Sequence, residues 1–94
     1  MYFSTIECTF SNGYYVESSR EKLVSVQTNT AKECAIKVKK EKISAIGATW
    51  ASDGTRNCYA HFGAGALAKT SHPREACLFR GRSITSAFYC QMFL

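Results

Sequence analysis

The residues with the most chemistry in this chain are five cysteines, Cys8, Cys34, Cys58, Cys77 and Cys90, and two histidines, His61 and His72. Metal ligation, nucleophilic catalysis and cross-linking are open to such a set. A zinc site can be written as Cys58-x2-His61 followed by His72-x4-Cys77, and the residue types suit that metal. Its first half falls in Asn57-Cys58-Tyr59-Ala60-His61-Phe62, which reads as a β-strand, where side chains three apart point to opposite faces. Nothing at Tyr59-Ala60 favours the turn a zinc knuckle requires, so no metal is expected. The same divergence separates Cys58 from His61 as a nucleophile and its base. The seven acidic residues are scattered, with neither a carboxylate pair nor a Ser/His/Asp order, so the chain reads as non-enzymatic and without a cofactor.

Cross-linking is the chemistry that fits. The cysteines form no CxxC pair, and spread cysteines suit ties between distant strands. Their odd number leaves at least one free, joined to another chain, or outside the domain, and spacing alone does not select a pairing. A chain of 94 residues makes one domain. At this size only about two-thirds of the unfolded surface is buried, and small cores are commonly stapled. Five cysteines are many for a cytosolic chain and fit a secreted one. The run Met1 to Glu7 has neither a basic n-region nor an apolar h-region, so a secreted chain would be a mature domain or a fragment. The alternatives are a reduced intracellular interaction domain, which a free-thiol count separates from the first, and a small zinc-binding module, which metal analysis settles. No Asn-x-Ser/Thr sequon reports on the compartment. No stretch approaches the roughly 20 apolar residues of a membrane span, and none is expected.

Gly63-Ala64-Gly65-Ala66-Leu67-Ala68-Lys69-Thr70 faintly resembles a phosphate loop. Ala68 stands where glycine must let the backbone approach phosphate, and Pro73 cuts short the helix that should follow. The segment 63–74 therefore reads as a small-residue loop. The net charge of +5 permits anionic partners without requiring one. Aromatic residues do not interleave with the basic ones in a nucleic-acid motif, so nucleic acid is not expected. The concentrated basic run is Lys37, Lys39, Lys40 and Lys42. Most simply it is a solvated helix face, with Glu33 and Lys37 as an i,i+4 pair. Functionally it is the surface expected to hold an acidic or sulfated glycan.

The elements that position these residues follow from patterning. Tyr2 to Phe10, Tyr14 to Glu17 and Leu23 to Val26 read as strands, with a turn at Ser11-Asn12-Gly13. Thr30-Ala31-Lys32-Glu33 is a capping box, opening a helix that should run to about Ile43. Ala31, Cys34, Ala35 and Val38 form its apolar stripe, so Cys34 faces the core and Ile36 does not. Residues 46–51 and 57–62 read as a hairpin turning at Asp53-Gly54. Ile46, Ala48 and Trp50 share one face of it, as do Cys58, Ala60 and Phe62. If those faces meet the helix, Cys58 lies under Cys34. Trp50 is most simply a core residue. Glu75 to Arg80 reads as a strand, and 83–94 as a final strand or tail. The expected fold is α+β, one helix on an antiparallel sheet, with the domain over 1–82.

Residues 33–62 resemble the PAN/apple family. Glu33-Cys34-Ala35 is similar to that family's cysteine-bearing helix start. Ala45-Ile46-Gly47-Ala48-Thr49-Trp50 matches its first strand at the Gly, Thr and aromatic positions, and Asn57-Cys58-Tyr59 matches the return strand. The family's second helix–strand cysteine pair would fall at Val38 and Ala45, and both cysteines are missing together. The resemblance covers about a third of the chain. It implies that Cys34 pairs with Cys58, and that the first and last strands are neighbours, so that Cys8 pairs with a late cysteine. Cys77 is the expected partner, because Cys8-Thr9-Phe10 and Cys77-Leu78-Phe79 share one pattern. Cys90, near the end where the family often closes its domain, fits that role too. The resemblance further implies a non-catalytic extracellular module for adhesion that binds protein or carbohydrate.

Overall fold

In the computed structural model the capping box starts the helix as its sequence dictates. Helix α1 (Ala31–Glu41) has Thr30 as its N-cap. The Thr30 hydroxyl accepts from the Glu33 amide at 3.1 Å, and the Glu33 carboxylate accepts from the Asn29 amide at 2.8 Å, so two otherwise orphaned donors are satisfied. Glu33 is thereby engaged at the cap, and Lys37 pairs instead with Glu41 at 3.0 Å. The structure describes residues 8–79. Cys90, the segment 83–94 and most of the strand read over 2–10 lie outside them.

Among the described residues five strands accompany the helix: β1 (Ser11–Asn12), β2 (Tyr14–Leu23), β3 (Gly47–Ala51), β4 (Cys58–Lys69) and β5 (Arg74–Leu78). They form one antiparallel sheet in the order β1-β5-β3-β4-β2. The expected α+β class, one helix on an antiparallel sheet, is the observed one. The β3–β4 hairpin sets Ala48 opposite Ala60 and Trp50 opposite Cys58, so the two apolar faces read from alternation are a single face. Cys34, Ala35 and Val38 of α1 are buried in one cluster with Ala48, Cys58, Ala60 and Cys77. Small side chains dominate that cluster, which lets helix and sheet backbones approach closely.

Two disulfides run through this layer. Cys34 is joined to Cys58, with Cα atoms 5.4 Å apart. Cys8 is joined to Cys77, with Cα atoms 5.3 Å apart. The first ties helix to sheet; the second fastens the segment before β1 onto β5, with Phe10 packed against the same core. Trp50 is half-buried, and its indole N–H donates to the Thr28 carbonyl at 3.2 Å.

Three local readings are corrected. Gly63 to Lys69 is not a loop but the second half of β4, paired with β2 from Tyr14↔Lys69 to Ser18↔Gly65. Correspondingly, the two short strands read over 14–26 are one strand that ends at Leu23. Ser11-Asn12 is the short edge strand β1 and only Gly13 is left to turn; Cys8 to Phe10, ahead of it, is not in a strand. Glycine and alanine have little strand preference of their own, so the partner strand, not local propensity, makes this segment extended.

The connectivity dictates a curled sheet. β1 and β2 stand at opposite ends of the strand order yet are separated in the chain only by Gly13. The two edges must therefore meet. They do so where the Gly13 amide donates to the Arg74 carbonyl at 2.7 Å and the Thr70 amide donates to the Gly13 carbonyl at 3.0 Å. The bend falls at Gly63, whose φ of +81° is left-handed backbone, opposite a register shift between Ser18 and Arg20. A Cβ at Gly63 would stand 2.9 Å from the Ser19 side chain, so both conformation and space require glycine.

Candidate binding cleft

The curl encloses a cleft of about 440 Å³ on the sheet face that α1 leaves bare. Its floor follows from alternation. On β4, Cys58, Ala60 and Phe62 turn to the helix, so Tyr59 and His61 turn the other way; Thr49 of β3, opposite Tyr59, shares their face. Glu21 of β2 is the cross-strand partner of His61 and stands at one end. Arg74 pairs with Ala51, four residues along β3 from Gly47, the partner of His61, and so stands at the other end; Gly13, bonded to both Arg74 and Thr70, brings Lys69 beside it, and His72 of the intervening turn also lines the cleft. Tyr15 of the overhanging β2–β4 ribbon also lines the cleft. The Thr49 hydroxyl accepts from the Val16 amide at 3.0 Å, holding the ribbon against the floor.

His61 is the chemically distinctive residue here. It is 1% exposed, and burial pushes its imidazole down from 6.5 to about 4, so it is neutral at physiological pH. Its Nδ1 lies 3.1 Å from the Ser18 hydroxyl oxygen. That hydroxyl donates its hydrogen to the Arg20 carbonyl at 2.9 Å, so towards His61 it acts as the acceptor. The proton therefore sits on Nδ1, and Nε2 is a bare acceptor. Nε2 is buried and has no partner among the described residues.

Arg74 is held in place at the basic end. Its Nη1 donates to the Pro73 carbonyl at 3.0 Å and meets the Asp53 carboxylate at 3.4 Å. Hydrogen bonds from the Thr55 side chain and amide, then the nearby Arg74 charge, hold the Asp53 carboxyl below its ordinary value.

The residues singled out in the sequence fall elsewhere. Cys34, Cys58, Cys8 and Cys77 are the disulfide cysteines of the helix-side core. Lys37, Lys39, Lys40 and Lys42 do not converge on one patch. At 3.6 residues per turn, Lys37 and Lys40 lie on one side, beside a shallow groove that also holds Glu33 and Glu41. Lys39 lies round the helix from them, and Lys42 caps its C-terminus, its amide donating to the Val38 carbonyl at 2.7 Å. No group of three or more metal-ligating side chains comes together among the described residues. Also among them, no helix is long and apolar enough to cross a membrane. The sequence offers His61 only as a metal ligand or a base and Lys69 only as the lysine of a faint phosphate loop, and it assigns no site role to Tyr15, Glu21, Tyr59 or Arg74. The available signal was the polar half of the alternation in Cys58 to Phe62, where Tyr59 and His61 occupy the face opposite the cysteine.

No family model matches the chain, and neither a curated protein nor a solved structure matches it.

Proposed function

We propose that this chain is an extracellular, non-catalytic recognition module of PAN/apple type, binding carbohydrate or protein through the cleft above Thr49, Tyr59 and His61. The observation that carries the reading is the cleft itself: about 440 Å³, lined by hydroxyl, aromatic and charged side chains, on a face left bare by the helix. That volume lies in the range of small-molecule sites. A non-catalytic role agrees with the direction of the Ser18–His61 bond. Ser18 donates to a backbone carbonyl, so its hydroxyl is not presented to the imidazole as a nucleophile would be. Two disulfides in the core support an oxidising, extracellular setting. The PAN/apple reading draws its support from one helix lying across an antiparallel sheet and tied to it through Cys34 and Cys58.

The test is an amide chemical-shift screen of the oxidised protein against libraries of soluble glycans and short peptides, preceded by a free-thiol count. Shifts gathered on Thr49, Tyr59 and His61, with both disulfides intact, are the expected result. Shifts confined to Lys37 and Lys40 would transfer the site to the helix. Four reduced thiols among Cys8, Cys34, Cys58 and Cys77 in freshly isolated protein would overturn the extracellular reading.

A further inference from the structure

The cleft is polarised in its hydrogen-bonding capacity. At the end where Lys69 and Arg74 stand beside His72, the ammonium and guanidinium groups only donate; at the other end the Glu21 carboxylate only accepts. Lys69 and Glu21 take part in no ion pair among the described residues. Arg74 uses Nη1 for Pro73 and Asp53, which leaves the rest of its planar donor set for an incoming acceptor. Glu21 and His61 are register partners on adjacent strands, so their side chains emerge side by side. Glu21 is exposed and presents its lone pairs to the cleft, while the buried His61 beside it holds its only proton on Nδ1 through the Ser18 contact. Between the two ends lie the hydroxyl of Thr49 and the rings of Tyr15 and Tyr59. A matching ligand carries an anionic acceptor at one end, a cluster of hydroxyl donors at the other, and a ring between them.

We infer that the cleft takes a small carboxylate-bearing polyol, a uronic acid being the simplest, with its carboxylate between Lys69 and Arg74 and its hydroxyls towards Glu21 and His61. The inference rests on the cleft being the binding site. It names a narrower ligand class than protein or carbohydrate at large, and a different surface from the helix lysines. Charge-assisted bonds at the Lys69–Arg74 end supply affinity. Hydroxyls donated to the exposed Glu21 carboxylate supply orientation.

The experiment is an amide-shift titration of the full chain with three probes: sodium glucuronate, glucose and sodium acetate. Glucuronate is expected to shift Thr49, Tyr59, His61 and Arg74 with an affinity at least about tenfold above either other probe, the equivalent of one good added interaction. Lys69→Gln, an exposed position whose substitution leaves the core untouched, should bring glucuronate down towards the level of glucose. Glu21→Gln should weaken glucuronate and glucose together and leave acetate unchanged. Glucose shifting the cleft as strongly as glucuronate would overturn the inference and leave the recognition reading standing. Acetate matching glucuronate would do the same by removing the polyol end. Absence of cleft shifts with all three probes also overturns it; the recognition reading then falls only if the wider glycan and peptide screen is silent at the cleft as well.

Discussion

The two faces of the central hairpin are built from the same four backbone pairs, Gly47↔His61 to Trp50↔Cys58, and solve burial in opposite ways. The helix-side face places Ala48, Cys58, Ala60 and Cys77 against Cys34, Ala35 and Val38. These side chains are small and apolar and two disulfides cross the layer, while Trp50 at its margin satisfies its single donor on the Thr28 carbonyl. The other face buries Thr49 and His61. It is covered not by a helix but by the returning β2–β4 ribbon, and it leaves one imidazole nitrogen unsatisfied. An unmet buried acceptor costs on the order of 1–3 kcal/mol. A face built for stability alone would fill that position with an apolar residue. The comparison teaches that the covalently stapled side carries the fold and the polar side is free to carry the chemistry.

Breaking the stapled side should have the largest effect. Cys34→Ala together with Cys58→Ala is expected to lower unfolding free energy by about 2–5 kcal/mol, measured by denaturant titration. A loss well under 1 kcal/mol would show that the apolar packing, not the bridge, holds α1 to the sheet.

The polar side should respond to pH instead. The unfolded imidazole of His61 takes its proton near 6.5 and the folded one near 4. Between those values the unfolded state binds more protons, so stability falls as pH falls. The contribution of the neutral ring is complete above about pH 6.5, and its loss is complete below about pH 4. The size expected is on the order of 3 kcal/mol. Urea titrations from pH 7 to pH 4 should show this slope in the wild type and a much shallower one in His61→Leu. An unchanged slope in the variant would assign the effect to other groups.

A smaller loss belongs to the bend that closes the cleft. Gly63→Ala places a Cβ in left-handed backbone against Ser19 and should cost about 1–2 kcal/mol. It should also shift the amides of Thr49 and His61 while leaving those of Cys34 and Val38 in place. Smallest is the helix cap. Thr30→Ala is expected to cost about 1 kcal/mol and to leave cleft resonances unmoved.

How much was legible depended on how local the determinants are. The capping box at Thr30 and Glu33, the stripe of Ala31, Cys34, Ala35 and Val38, and the Asp53-Gly54 hairpin are all set by residues within a few positions of one another. Each is present in the structure close to where patterning puts it. Lys37 went to Glu41 because the cap had already claimed Glu33. That competition is local too, and it is readable once the capping box is taken to engage both of its side chains.

What the sequence by itself determined is the helix, the hairpin and the face on which Cys34 and Cys58 meet, because periodicities of 3.6 and 2 sort side chains without reference to distant chain. The tertiary structure alone decided that Gly63 to Lys69 is a strand, since its small residues have no extended preference until β2 pairs with them. It alone decided the cleft. Glu21, His61 and Arg74 are brought to one cavity only because Gly13 joins the two edges of the sheet and forces the curl. No spacing within the chain encodes that closure; it follows from strand order, which is fixed only when all five strands have paired.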